Sequence, residues 1–101
     1  KFSNFSNVQI HKRNSTEASK LFKDNYFDYI YIDAEHTYDA VISDINSWYP
    51  KLKKNGYLFG DDYYWREKDN SFSLQKAYQD FIREKDIKEW CVFKSQIIIK
   101  K

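Results

Sequence analysis

The chain has 101 residues, which is one domain over 1–101 and no more. Hydrophobic residues make up 42%, aromatic residues 20% and charged residues 32%, a globular composition with enough aromatic mass to close a small core. Seventeen basic residues against fifteen acidic ones leave +2, which gives no charge argument for a nucleic-acid or membrane-surface partner.

Residues 1–7 are polar with two Phe and read as a loop or a helix end. VQIHKR (8–13) alternates apolar and polar residues, which is strand periodicity. Ser15 then caps a helix with Ala18, Leu21 and Phe22 on one face. FDYIYID (27–33) sets Phe27, Tyr29 and Tyr31 against Asp28, Ile30 and Ile32. A run apolar on nearly both faces predicts a central parallel strand ending at Asp33. Thr37 caps a second helix whose apolar face is Val41, Ile42, Ile45, Trp48 and Tyr49, and Pro50 stops it. Asn55–Gly56 reads as a turn, followed by a short strand from Tyr57 to Phe59 and then Gly60, Asp61 and Asp62. After a loop over 63–70, Asn70, Ser71 or Ser73 caps the third helix. Its face of Leu74, Ala77, Tyr78, Phe81 and Ile82 follows helical spacing. Residues 88–94 and 95–101 form a tight antiparallel hairpin.

Strands alternating with helices predict an α/β fold with a mainly parallel sheet, about five strands and three helices. Several functions are excluded. Gly56 and Gly60 are the only glycines, so the chain has no Gly-rich phosphate or dinucleotide loop of its own. No apolar run approaches the roughly 18 residues of a membrane span, and no signal-peptide pattern opens the chain. Cys91 is the sole cysteine, which excludes an internal disulfide and a cysteine-based metal site and fits a reducing, cytoplasmic setting. Cys91 itself, between Trp90 and Val92, reads as a small buried residue.

Ligands of such sheets bind beyond the carboxyl ends of the strands. Asp33, Asp61 and Asp62 fall at two of those ends. Carboxylates brought close on neighbouring strands repel unless they hold a cation or share a proton, and an oxygen-only set suits Mg²⁺, Ca²⁺ or Mn²⁺. His36, three residues beyond Asp33, is placed to act as a general base. Each residue also has a plain reading: the aspartates as caps and turn residues, His36 as a surface side chain. Tyr63, Tyr64 and Trp65 either line a substrate pocket or pack over the sheet end. GDD at 60–62 also suggests a metal-dependent phosphoryl-transfer site, but YYWREKDN is a poor following strand and no basic groove accompanies it.

The stretch FDYIYIDAEHTYDAVISDINSWYPKLKKNGYLFGDDYYW resembles the middle of class I S-adenosylmethionine-dependent methyltransferases. The branch is that of small-molecule, cation-dependent O-methyltransferases. HKRNSTEA and the terminal hairpin are similar to the flanking segments of that family. The resemblance implies a partial Rossmann-like sheet of family order 3-2-1-4-5-7-6, from which this chain supplies the third strand and then the fourth to seventh. It implies S-adenosylmethionine as cofactor near Asn14, Ser15 and Asp33, and Mg²⁺ on Asp33, Asp61 and Asp62. It also implies His36 as the base that takes the acceptor's proton, with a small-molecule acceptor as partner. Ala34 stands where the family has Gly, and Arg13–Asn14 where it has Gly–Asp. The family's Gly-rich donor-binding half has no counterpart here, so the chain reads as a C-terminal portion that is not expected to act alone. The expected first strand has lost both family neighbours. It either docks beside 27–33 or pairs with another chain, and homo-oligomerisation through the exposed sheet edge is the expected hazard. A non-catalytic binding or assembly module is the alternative function.

Overall fold

A computed structural model describes residues 15–33 and 36–101. The expected strand over 8–13, Asn14 and the side chain of Ser15 lie outside the described residues. Helix α1 is Ser15–Ser19, β1 is Phe27–Ile32, α2 is Tyr38–Trp48 and β2 is Leu52–Gly60. Helix α3 is Ser73–Glu84, and β3 (Trp90–Phe93) with β4 (Gln96–Lys100) closes the chain.

The sheet runs β1-β2-β4-β3. Strands β1 and β2 are parallel, and β4 is antiparallel to both β2 and β3. This is the 4-5-7-6 order that the resemblance implied. Four strands are described rather than five; the fifth is the one expected over 8–13.

One face of the sheet carries the core. Leu58, Ile97 and Ile99 are fully buried there, with Ile30 and Ile32 beside them. Helix α3 lays Leu74, Ala77, Tyr78, Phe81 and Ile82 into this core, the five positions given by its 3.6-residue period. Helix α2 adds Val41, Ile45 and Trp48, and its N-cap Thr37 accepts a hydrogen bond from the Ala40 N–H at 3.2 Å. Burying each such large apolar side chain stabilises the fold by about 1.5–3 kcal/mol. The two helices are clamped through Asp80, which accepts hydrogen bonds from the Tyr38 hydroxyl (2.7 Å) and Lys76 Nζ (2.9 Å) and pairs with Arg83.

Several expectations are corrected. Helix α1 stops at Ser19 because the next three N–H groups bond three residues back, a tighter turn that carries Leu21 into solvent at 75% exposure. Phe22 still packs on Phe27, with ring centroids 4.8 Å apart. The Asn55–Gly56 turn lies inside β2 as an irregularity: Phe27 opposes Leu52, and Tyr29 already opposes Tyr57. That bulge also puts Phe27 in the core while Tyr29 and Tyr31 stay exposed. None of Asn70, Ser71 or Ser73 caps α3; Phe72 stands at the N-cap, and the buried Ser73 hydroxyl has no hydrogen-bond partner. Cys91 is exposed rather than buried, because at its register position beside Ile98 it points away from the helices.

Both glycines have negative φ and are needed for space. A Cβ on Gly56 would lie 2.7 Å from the Asp28 carbonyl oxygen, and one on Gly60 would collide with the Tyr78 hydroxyl. The left-handed positions go instead to Asn25, Asn55, Asp62, Asn70, Asp86 and Lys94.

Candidate functional site

Ile32 opposes Gly60 at the last rung of the parallel pair, and the Asp61 N–H reaches the Ile32 carbonyl at 3.4 Å. The register therefore releases Asp33 from β1 and Asp61–Asp62 from β2 at one edge, the carboxyl edge of the sheet. This brings together the three carboxylates singled out from the sequence.

Tyr31 is hydrogen-bonded to one of them. Its hydroxyl donates to Asp61 Oδ2 at 2.9 Å. Partial burial, that hydrogen bond, and the charges of Asp61, Asp33 and Asp62 push the Tyr31 hydroxyl up to about 12. The edge is thus a focus of negative charge.

Asp62 is the hinge of the site. It sits in the left-handed region at φ 58°, which aspartate tolerates better than most residues. Its N–H donates to Asp61 Oδ1 at 2.9 Å, and the Trp65 N–H closes a turn on its carbonyl at 2.9 Å. This bend aims the Asp62 carboxylate across the edge, where Oδ2 lies 2.9 Å from His36 Nε2. Both side chains are partly open to solvent, at 37% for His36 and 44% for Asp62.

A ring face of His36 is held by Trp65, stacked at 4.5 Å between centroids and tilted by 27°. Trp65 also begins the 65–69 segment that lines an open groove. The aromatic triplet therefore divides its roles. Tyr63 packs: it is buried, accepts a hydrogen bond from Gln79 Nε2 at 2.8 Å and leans on Tyr78. Tyr64 is exposed, and Trp65 joins the site. Sequence reading missed Tyr31 and the stacking role of Trp65. The first had a signal, since Tyr31 and Asp33 are two apart on a strand and share a face. The second had none, because it depends on how the loop folds back.

Among the described residues, no group of three or more His, Cys, Asp or Glu side chains is arranged to hold a metal ion. Asp61 accepts from Tyr31 and from the Asp62 N–H, and Asp62 Oδ2 faces His36. Two of the three carboxylates expected to hold a cation are thus already hydrogen-bonded within the protein.

Comparison with known proteins places this geometry. Residues 2–63 match the profile of a family described as "Methyltransferase domain". An uncharacterised protein, R132, of Acanthamoeba polyphaga mimivirus is 44% identical over 62 residues, which is 57% of this chain and 28% of that protein. A solved structure from Corynebacterium glutamicum superposes with a TM-score of 0.70 at 10% identity, over 98% of this chain and 50% of the other. A Staphylococcus aureus structure described as a candidate caffeoyl-CoA O-methyltransferase gives 0.64 at 18% identity, over 97% of this chain and 53% of the other. MycE methyltransferase of the mycinamycin biosynthetic pathway, solved with Mg and SAH, gives 0.57 at 16% identity, over 93% and 32%. The chain spans about half the length of the first two solved structures, and less of the other two proteins. With the matched profile covering most of the chain and the strand order in agreement, the chain belongs to the class I S-adenosylmethionine-dependent methyltransferases.

Proposed function

We propose that this chain is the acceptor-side portion of an enzyme that moves a methyl group from S-adenosylmethionine to a hydroxyl of a small molecule. One observation carries the reading: a histidine held by a carboxylate, His36 on Asp62, stands at the same sheet edge as Asp33 and Asp61. The methyl donor carries a sulfonium and an α-ammonium group beside a single carboxylate, so it is net positive and this acidic edge suits its cationic side. Asp33, exposed at the end of β1, is the residue assigned to face it.

S-adenosylmethionine, when bound, supplies an electrophilic methyl carbon whose bond to sulfur breaks as the bond to the acceptor oxygen forms. The chain's own residues deal with the proton. With Nε2–H donating to Asp62, the Nδ1 lone pair of His36 is free to take the acceptor's hydroxyl proton. Asp62 fixes the ring and stabilises the imidazolium that results. Trp65 holds the ring plane and, with exposed Tyr64, offers flat surface beside the groove on which an acceptor can lie.

The test is calorimetric binding of S-adenosylmethionine to the protein as its native source makes it. Asp33→Asn is expected to weaken binding about fivefold, the ~1 kcal/mol of a partly exposed charge contact. No binding to the unaltered protein would favour the non-catalytic module instead.

A further inference from the structure

Both groups that hold His36 belong to one turn. Asp62 Oδ2 faces its Nε2, Trp65 stacks on its ring, and the Trp65 N–H closes the turn on the Asp62 carbonyl. Asp62, Tyr64 and Trp65 are all at least partly open to solvent, and Tyr63 alone in the turn is buried. The hydrogen bonds of Asp62 and Trp65 stay within the turn and its immediate neighbours, Asp61 and His36. Those of Tyr63 leave it. Its N–H donates to the Ser95 carbonyl at 2.8 Å, between β3 and β4. Its hydroxyl oxygen accepts from Gln79 Nε2 on α3 at 2.8 Å. Its ring lies edge-on to Tyr64, with centroids 5.2 Å apart, and leans on Tyr78. Filling the core needs only that ring. The hydroxyl adds direction, because a hydrogen bond of this length fixes how far the ring reaches and how it is turned.

We propose that Tyr63 and Gln79 are positioning residues, whose hydrogen bond sets the aim of Asp62 and Trp65 and so the tautomer and ring orientation of His36. Its catalytic consequence rests on the methyl-transfer reading above; the geometry does not. Asp62 holds a left-handed conformation at φ 58°, which persists only where the surroundings fix it. The next residue along the chain is the one fastened to α3 and to the terminal hairpin, so any movement of Tyr63 passes straight to the Asp62 carboxylate. A misplacement of about 1 Å in a proton-accepting group costs on the order of 10²-fold in rate.

The test uses three variants of the protein as its native source makes it: Tyr63→Phe, Gln79→Leu and Gln79→Glu. The first two keep bulk and lose the hydrogen bond. The third keeps the bond with its direction reversed, since a carboxylate accepts from the Tyr63 hydroxyl. Gln79 is half-buried, so its variants are expected to fold. The ring nitrogens of His36 are read by long-range ¹H–¹⁵N NMR with the ring neutral. The unaltered protein and Gln79→Glu are expected to show one tautomer, protonated at Nε2, and the other two variants a mixture. Transfer of tritiated methyl to small-molecule hydroxyl acceptors is measured on the same samples. Its kcat is expected to fall about 10-fold to 10²-fold in Tyr63→Phe and Gln79→Leu, with KM for S-adenosylmethionine unchanged, and to recover in Gln79→Glu. One unaltered tautomer in all three variants overturns the proposal. So does a loss of kcat that Gln79→Glu shares or that follows the urea midpoints, which would make the bond a purely structural contact. The expected tautomer pattern in a protein that transfers no methyl would sink the methyl-transfer reading and leave the positioning standing. Active transfer with unaltered tautomers would do the reverse.

Discussion

Asp62 has two separable duties, one of backbone and one of charge. At φ 58° it occupies a conformation that costs an alanine roughly 1–2 kcal/mol, and its carboxylate holds His36. Asp62→Asn keeps the tolerance and removes the charge. It should unfold in urea at nearly the wild-type midpoint while methyl transfer falls. Asp62→Ala should lose both, with stability lower by about 1–2 kcal/mol; equal urea midpoints for the two variants would mean that the left-handed bend carries no strain. Gly60 is a second single-residue constraint. An alanine there is driven into the Tyr78 hydroxyl, so Gly60→Ala should cost about 1–3 kcal/mol in urea unfolding, and Tyr78→Phe in the same chain should recover part of it. At this scale the acidic residues and His36 were legible as types at strand ends. Their partners were not, because Tyr31 reaches Asp61 across thirty positions of chain and Trp65 reaches His36 by a loop reversal.

At the scale of elements, period decided what could be read. Helix α3 announces itself because five apolar residues at helical spacing all reach the core. Its cap does not, because three polar residues, Asn70, Ser71 and Ser73, compete around the helix start and the chain seats Phe72 there. Strand β1 alternates correctly from Tyr29 onward, but the bulge against β2 breaks the alternation at Phe27. The clamp between α2 and α3 gives a pH prediction. The Tyr38 hydroxyl and then the Lys76 ammonium hold the Asp80 carboxyl well below the usual carboxylate range. A depressed folded value means that the stabilisation is complete above pH ~4 and is lost as pH falls further. Melting temperature should therefore drop between pH 4 and pH 2. The drop should be smaller in Asp80→Asn, which lacks the titrating group; an identical acid limb in both proteins would remove the clamp from the account.

For the whole molecule, the strand order was legible only through the resemblance that one dense motif carries, and the carboxyl-edge site because strands alternate with helices and end in acidic residues. The exposure of Tyr29 and Tyr31 among the described residues was not, since a run apolar on both sides reads as a central strand covered on both faces. The same arrangement separates this account from cation-assisted transfer. Asp61 and Asp62 are engaged by Tyr31 and His36, so treating the native-source protein with EDTA should leave methyl transfer unchanged, and a loss restored by Mg²⁺ would show that the carboxylates rearrange around a cation. The central claim is that His36, held by Asp62, takes the acceptor's proton. Its most direct test is transfer of tritiated methyl from S-adenosylmethionine to small-molecule hydroxyl acceptors by the native-source protein, with and without His36→Ala. The account predicts transfer that falls by about 10²–10⁴ in the variant while donor binding is kept. Transfer undiminished by the substitution would contradict it.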